Sequence, residues 1–291
     1  MRYSIRVILF SFLLIAEVNA QLPSESAIED EKRVTDFFLK EKIDAPVLST
    51  SERMIRAALY LLDTPYVGAT LEINANTEEQ LVINLRELDC STFMENCLAL
   101  SRVAGMQDPD FELFRRELRF IRYRHGIIAG YASRLHYTSD WLNDNIRKNV
   151  IDDVTKALGG KHFPVNVDYM STHPEKYPAL RNNPEQVNII REVETAINAR
   201  NSYYYIPTPE IVEKQALIKS GDIVCFTTSI PGLDISHVGI AYRLKNQLTF
   251  IHASLKAKKV IINPDSLSDY CLQNGAGGII VLRPKNNIGN L

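Results

Sequence analysis

The sequence predicts an α+β fold, with helices first and an antiparallel sheet last. Two textures of the chain predict it. In its first third, apolar residues recur at helical spacing, as in Phe93, Met94, Cys97, Leu98 and Leu100. In its last quarter, five short runs rich in β-branched residues follow one another: Asp222 to Phe226, His237 to Leu244, Leu248 to Ala253, Lys259 to Ile262 and Gly278 to Leu282. Turn residues such as Lys245-Asn246 and Asn263-Pro264-Asp265 separate several of them. No helix of ordinary length fits between neighbouring runs, which favours antiparallel over parallel pairing.

Taken in order, the first twenty residues carry Arg2 and Arg6, an apolar run from Val7 to Ala16, and Val18-Asn19-Ala20. This is the pattern of a signal peptide with a small-residue cleavage site, and the apolar run is shorter than the roughly 20 residues that span a bilayer. Export with cleavage is therefore expected, to the periplasm or beyond it. A polar stretch and an early helical pattern follow, and then a helix from Ser51 to Leu62 with Ser51 as its N-cap, stopped by Thr64-Pro65. The segment Leu81 to Leu88 leads into Asp89-Cys90-Ser91, so that Cys90 lies at or near a helix N-terminus. Between about Gly105 and Lys219 lies a long middle with Arg, Tyr and Pro but no repeat and no Gly/Ser-rich linker. We therefore expect residues 21–291 to form one domain, with a core of about 50–104 and 216–284 and a mostly helical and loop elaboration at about 105–215.

The 291 residues include 45% hydrophobic side chains, enough for a sizeable core. The chain carries 33 Lys and Arg against 35 Asp and Glu; without Arg2, Arg6 and Glu17 the mature net charge is about −3. Such a balance lacks the basic excess of a nucleic-acid binder. Phe114 to Arg124 clusters Arg115, Arg116, Arg119, Arg122 and Arg124, which reads as a solvated helix face. Export permits disulfides, but Cys90 and Cys97 lie about 10 Å apart along one helix, beyond disulfide reach. Cys225 sits in an apolar strand pattern, and it and Cys97 read as small core hydrophobes.

Chemistry concentrates on Cys90. Helix N-terminal amides stabilise a thiolate, so a cysteine opening a helix is expected to have a lowered pKa. It needs a base. His237 begins one strand and His252 lies in the next, and a tight hairpin at Lys245-Asn246 brings both to the same end of the sheet. A cysteine, a histidine and a polar orienter then form a triad: one imidazole deprotonates the thiol and later protonates the leaving amine, while the third group holds its tautomer.

Five segments in this order, Thr64-Pro65-Tyr66-Val67-Gly68, Leu88-Asp89-Cys90-Ser91-Thr92-Phe93, Gly221-Asp222-Ile223-Val224, Ser236-His237-Val238-Gly239-Ile240 and Ile251-His252-Ala253-Ser254, resemble the NlpC superfamily of cell-wall peptidases. Asn84 to Cys90, Gly130 to Tyr137 and Asp140-Trp141 resemble its N-acetylmuramoyl-L-alanine amidase-like family, formerly a domain of unknown function. The resemblance covers most of the mature chain and implies a papain-like fold, with the nucleophile on a helix packed against an antiparallel sheet that supplies the histidines. It implies no metal and no organic cofactor. Carried over by position, Cys90 is the nucleophile, His237 the general base, His252 the orienting residue, and Tyr66 lines the site and assists the oxyanion beside the Cys90 amide.

The family is associated with hydrolysis of the amide between N-acetylmuramic acid and L-alanine, on anhydro-muropeptides. That substrate is small and soluble, and a monomer is expected. Asp89 matches a position that binds a free L-alanine amine in relatives cutting inside stem peptides. Asp89, Ser91 and Ser236 are expected to meet the substrate, and Arg134, Tyr137 and Trp141 to pair with its carboxylates or stack on its sugar; an ordinary buried aromatic cluster with a satisfied arginine explains these last three equally well.

Three other readings stand beside this one. Cysteine and histidine are also zinc ligands, with His125, His136, His162 and His173 available, but neither a His-Glu-x-x-His helix nor paired Cys-x-x-Cys is present. A catalytically dead muropeptide-binding module is the second. An endopeptidase cutting after L-alanine or D-glutamate is the third.

Overall fold

The structure, a computed structural model, describes residues 24–74 and 77–286, so the expected signal peptide lies outside the described residues. Its first helices are α1 (Glu25–Glu41), α2 (Thr50–Tyr60), α3 (Cys90–Val103) and α4 (Phe111–Arg122). Each opens on a side chain that accepts a backbone N–H: Ser24, Ser49, Asp89 and Asp110. The observed cap of α2 is thus Ser49 rather than Ser51, because Glu52 stands three residues on and closes a capping box.

The middle of the chain supplies α5 (Thr138–Arg147), β1 (Ile151–Asp153), β2 (Lys161–Phe163), α6 (Tyr169–Thr172), α7 (Pro184–Arg200), β3 (Tyr203–Pro207) and α8 (Ile211–Lys214). The last quarter is β4 (Ile223–Thr227), β5 (Ile235–Leu244), β6 (Gln247–Ser254), β7 (Lys259–Ile262), α9 (Leu267–Gln273) and β8 (Gly278–Pro284). The five predicted strands are therefore all present. Together with β1, β2 and β3 they form an antiparallel sheet of order β2-β3-β8-β4-β5-β6-β7, with β1 also on β8. The middle contributes three short strands that sequence periodicity did not reveal, since three to five residues are too few to display it.

One face of the sheet, with Ile223, Cys225, Val238, Ile240 and Ile251, packs on α2 and α3. The other, with Val224, Phe226, Phe250 and Val281, packs beneath α9. Helix α3 lies between α2, α4 and the sheet, and every residue from Thr92 to Val103 is buried. Its charged members must then be paired, and both find α4: Arg102 with Glu117, and Glu95 with Arg122 at 2.7 Å. Gly221 turns the chain into β4 at φ +87°, and a Cβ there would stand 2.2 Å from the Ser51 carbonyl oxygen. Beside it the fully buried Asp222 accepts two hydrogen bonds of 2.7 Å from Arg283.

Candidate active site

The segment before Cys90 is tied down on both sides. Leu88 donates to the Pro65 carbonyl (3.0 Å) and accepts from Val67 N–H (3.1 Å), while Tyr66 N–H donates to the Lys258 carbonyl (2.9 Å). Asp89 then caps α3: its carboxylate accepts from Thr92 N–H and from the Thr92 hydroxyl, both at 2.8 Å. Cys90 is the first residue of the helix, as the sequence predicts.

The histidines come from β5 and β6. Phe226 pairs with His237 but Thr227 with Ile235, so Ser236 is the extra residue of a β-bulge. Bulges bend a strand and re-aim its side chains, and this one stands immediately before His237. The β5–β6 ladder ends at Ile240 and Ile251. Beyond it Val238 N–H is free to meet the Cys90 thiol, which also has the Ser91 hydroxyl at 4.0 Å. Gly239 lets β6 come close: a Cβ there would lie 2.6 Å from Phe250 Cδ2 and 3.4 Å from His252 Cβ. His237 Nε2 and His252 Nδ1 are 2.7 Å apart, one donating to the other.

Phe226, Phe250 and Tyr270 surround the histidine pair, with ring centroids 5.7, 6.5 and 6.2 Å from that of His237. This apolar enclosure disfavours the charged imidazole. Burial pushes His237 down to about 4; burial, then the neighbouring His237, pushes His252 down to about 3. The thiol departs from the sequence expectation. Burial, and after it the Asp89 carboxylate, pushes Cys90 up to about 11, against the pull of Val238 N–H and Ser91. The helix amides and Asp89 oppose one another at this sulfur, so the resting pair is thiol and neutral imidazole.

Cys90, Asp89, Ser91, Ser236 and His237 line one cavity of about 270 Å³, together with Arg134 and Tyr137. Arg134 is buried, with Nε 3.1 Å from Glu79 and Nη1 3.5 Å from Glu72. The Tyr137 hydroxyl donates to Glu194 (2.8 Å) and accepts from Met170 N–H (2.9 Å), so its ring, not its hydroxyl, faces the cavity. Trp141 is not brought there: it is 3% exposed, on α5 in the hydrophobic core. Tyr66 is half-buried near Cys90 and Asp89, and burial first, then these acidic neighbours, raises its phenol pKa.

Several residues of the site carried another reading, or none, in the sequence. Arg122, read as part of a solvated arginine face, is 2% exposed, bound to Glu95 and to the Val82 carbonyl (2.6 Å). The signal was available: Glu95 interrupts the apolar pattern of α3 and demands a cation. His136 also lines the wall, with Nε2 2.9 Å from the Tyr131 carbonyl oxygen; since a carbonyl only accepts, Nε2 carries the proton. Burial, and then Arg134, holds this ring well below the usual imidazole range, leaving Nδ1 as an acceptor. Tyr270 comes from α9, and only the tertiary structure puts it against the histidines.

The profile of the AmiA-like family, described as N-acetylmuramoyl-L-alanine amidase-like, matches residues 56–279. That span includes α3 with Cys90 at its start, the middle and both histidine strands. The chain belongs to this family.

A Bacteroides uniformis protein, solved under the name N-acetylmuramoyl-L-alanine amidase, is 38% identical to this AmiA-like chain; the match covers 81% of this chain and 99% of that one, with a TM-score of 0.76. A Bacteroides fragilis structure named a putative xylanase is 41% identical over 78% of this chain and 99% of that one, with a TM-score of 0.73. A Legionella pneumophila protein shares the fold at 21% identity, covering 89% and 97% of the two chains with a TM-score of 0.65. No curated protein matches the chain. By family this protein is amidase-like, and the family implies a peptidoglycan-derived substrate. Its four cysteines are free thiols. Among the described residues no group of three or more His, Cys, Asp or Glu is arranged to hold a metal ion, and no helix is long and apolar enough to cross a membrane.

Proposed function

We propose that this protein is a cysteine amidohydrolase of the papain-like NlpC type that cleaves the amide between N-acetylmuramic acid, in its anhydro form, and L-alanine in peptidoglycan fragments. The observation that carries this reading is the convergence of Cys90 and His237 on one cavity, with His237 backed by His252 at 2.7 Å.

The chemistry follows from the protonation states. With the thiol and imidazole both neutral at rest, His237 takes the thiol proton as the sulfur attacks the muramoyl carbonyl carbon. The oxygen that gains charge meets the Cys90 amide, with Tyr66 as the neighbouring hydroxyl. As the C–N bond breaks, the imidazolium returns its proton to the L-alanine nitrogen, leaving a muramoyl thioester on Cys90. Water, deprotonated by His237, then cleaves the thioester and restores the thiol.

In the intact substrate the alanine nitrogen is tied up in the scissile amide, so Asp89 has no ammonium to pair with. Its capping bonds to Thr92 give it the task of shaping α3 instead. The sugar end would meet the wall of Arg134, Tyr137 and His136. A glycosidase, as the putative xylanase name would suggest, needs two opposed free carboxylates. All four carboxylates on this cavity are already engaged: Glu72 and Glu95 with arginines, Asp89 with Thr92, and Asp234 with the backbone of Ser139 and Ile235. The amino-terminal pattern supports export, and we place the enzyme in the periplasm, as a monomer acting on soluble fragments.

The test is mass spectrometry of anhydro-muropeptides incubated with the mature protein beside Cys90→Ala. We expect free stem peptide plus anhydro-sugar, absent from the variant and insensitive to chelators. Fragments cut within the stem would make it an endopeptidase, and binding without cleavage a muropeptide-binding module.

A further inference from the structure

The general base needs a fixed tautomer, and the residue that supplies it was not singled out by any motif. Three side chains run diagonally across neighbouring strands on one face of the sheet. His237 precedes Gly239 by two residues, and Gly239 faces His252. His252 pairs with Ile261 on β7, and Asn263, two residues beyond, falls on the same face. His252 and Asn263 are both buried, at 2% and 6% exposure.

Asn263 is held on three sides. Its N–H donates to the Phe250 carbonyl (2.8 Å), its carbonyl accepts from the Thr249 hydroxyl (2.7 Å), and its Nδ2 donates to the Asp265 carbonyl (3.1 Å). The amide nitrogen is thereby assigned, and Oδ1 remains as an acceptor. On His252, Nδ1 is committed to His237, while Nε2 is buried with no hydrogen-bond partner.

Two proton arrangements of the histidine pair are open. If His252 Nδ1–H donates to His237 Nε2, the proton of neutral His237 sits on Nδ1 and the ring cannot take another from Cys90. If His237 Nε2–H donates to His252 Nδ1, His237 Nδ1 is a free base and His252 carries its proton on Nε2. The second arrangement needs an acceptor at Nε2. We propose that Asn263 Oδ1 is that acceptor, and that Asn263 is a positioning residue holding the His237–His252 pair in its base-competent tautomer. The Asn263 side chain favours the protonated form of His252 against the burial that disfavours it, the direction an acceptor gives. The inference rests on the roles of Cys90 and His237 proposed above, but not on the identity of the substrate.

The test is ¹⁵N NMR of histidine-labelled mature protein. We expect His252 as the Nε2–H tautomer in the wild type and a mixture in Asn263→Ala. The variant should lose about tenfold to a hundredfold in kcat at unchanged KM. Asn263→Asp should restore kcat and move the acid limb of the pH profile upward, because a carboxylate favours the imidazolium more strongly. An Nδ1–H tautomer in the wild type overturns the proposal whatever the activity, and so does an Asn263→Ala variant with unchanged tautomer and kcat. Should Asn263→Ala fail to fold, the wild-type spectrum and Asn263→Asp decide. The NMR needs no substrate: Nε2–H in an enzyme inert toward muropeptides would break the substrate reading and leave this one standing.

Discussion

The reactive end of the cavity and its wall treat polar groups in opposite ways. At and behind the wall, each carboxylate has its partners: Glu95 has Arg122, Glu72 has Arg134 and the Tyr131 hydroxyl, and Glu79 has Arg134 and the Tyr123 hydroxyl. At the reactive end the Cys90 sulfur has only Val238 N–H and Ser91, whose hydroxyl is 4.0 Å away, and the two histidines lean on one another inside an apolar enclosure. Paired charges lock a shape, whereas weakly partnered ones remain free to move a proton. The wall therefore reads as a template and the thiol–imidazole end as the machine, and the two should fail differently when mutated.

The largest effect expected is on chemistry alone. Cys90→Ala should reduce turnover by about 10⁴-fold or more, as for nucleophiles in hydrolases, with the thermal midpoint little changed. Cys97→Ala, in contrast, should leave turnover intact and lower stability by about 1–3 kcal/mol, since it removes a fully buried thiol from α3. Equal turnover of wild type and Cys90→Ala would end the nucleophile assignment.

The wall should break through stability. Arg122→Met leaves Glu95 buried without its cation, and truncating one partner of such a pair costs about 3–5 kcal/mol. Adding Glu95→Met should recover much of that loss in denaturant titration, because the stranded charge is gone. A single variant as stable as wild type would show that the pair does not hold the wall.

A smaller and sharper comparison lies in pH. His237, pushed down to about 4, is charged at rest only below that value, so kcat/KM should hold level to near pH 4 and fall as His237 charges. Alkylation of Cys90 by iodoacetamide should climb toward pH 11, where the thiol ionises. A plateau in alkylation already at pH 6 would mean a preformed thiolate–imidazolium pair. Stability has its own sign: buried histidines kept neutral in the fold charge more readily when unfolded, so His237 and His252 should lower the thermal midpoint as pH falls from about 6.5 toward 4 and 3 respectively.

The sequence by itself determined the α+β order of the chain, its five consecutive late strands, and the placement of Cys90 on a helix start and of His237 and His252 on adjacent strands. These are short-range matters: periodicity, caps and turns act within a few residues, and motif order records the rest. Only the tertiary structure decided which buried charges meet. Arg122 left the predicted solvent face because Glu95 lies 27 residues away in sequence but 2.7 Å away in space, and Trp141 turned into the core while Tyr137 reached the cavity. The same holds for the thiol, which a helix start alone would lower and which burial and Asp89 raise. Desolvation and pairing depend on the summed surroundings of an atom, and those exist only once distant segments have packed.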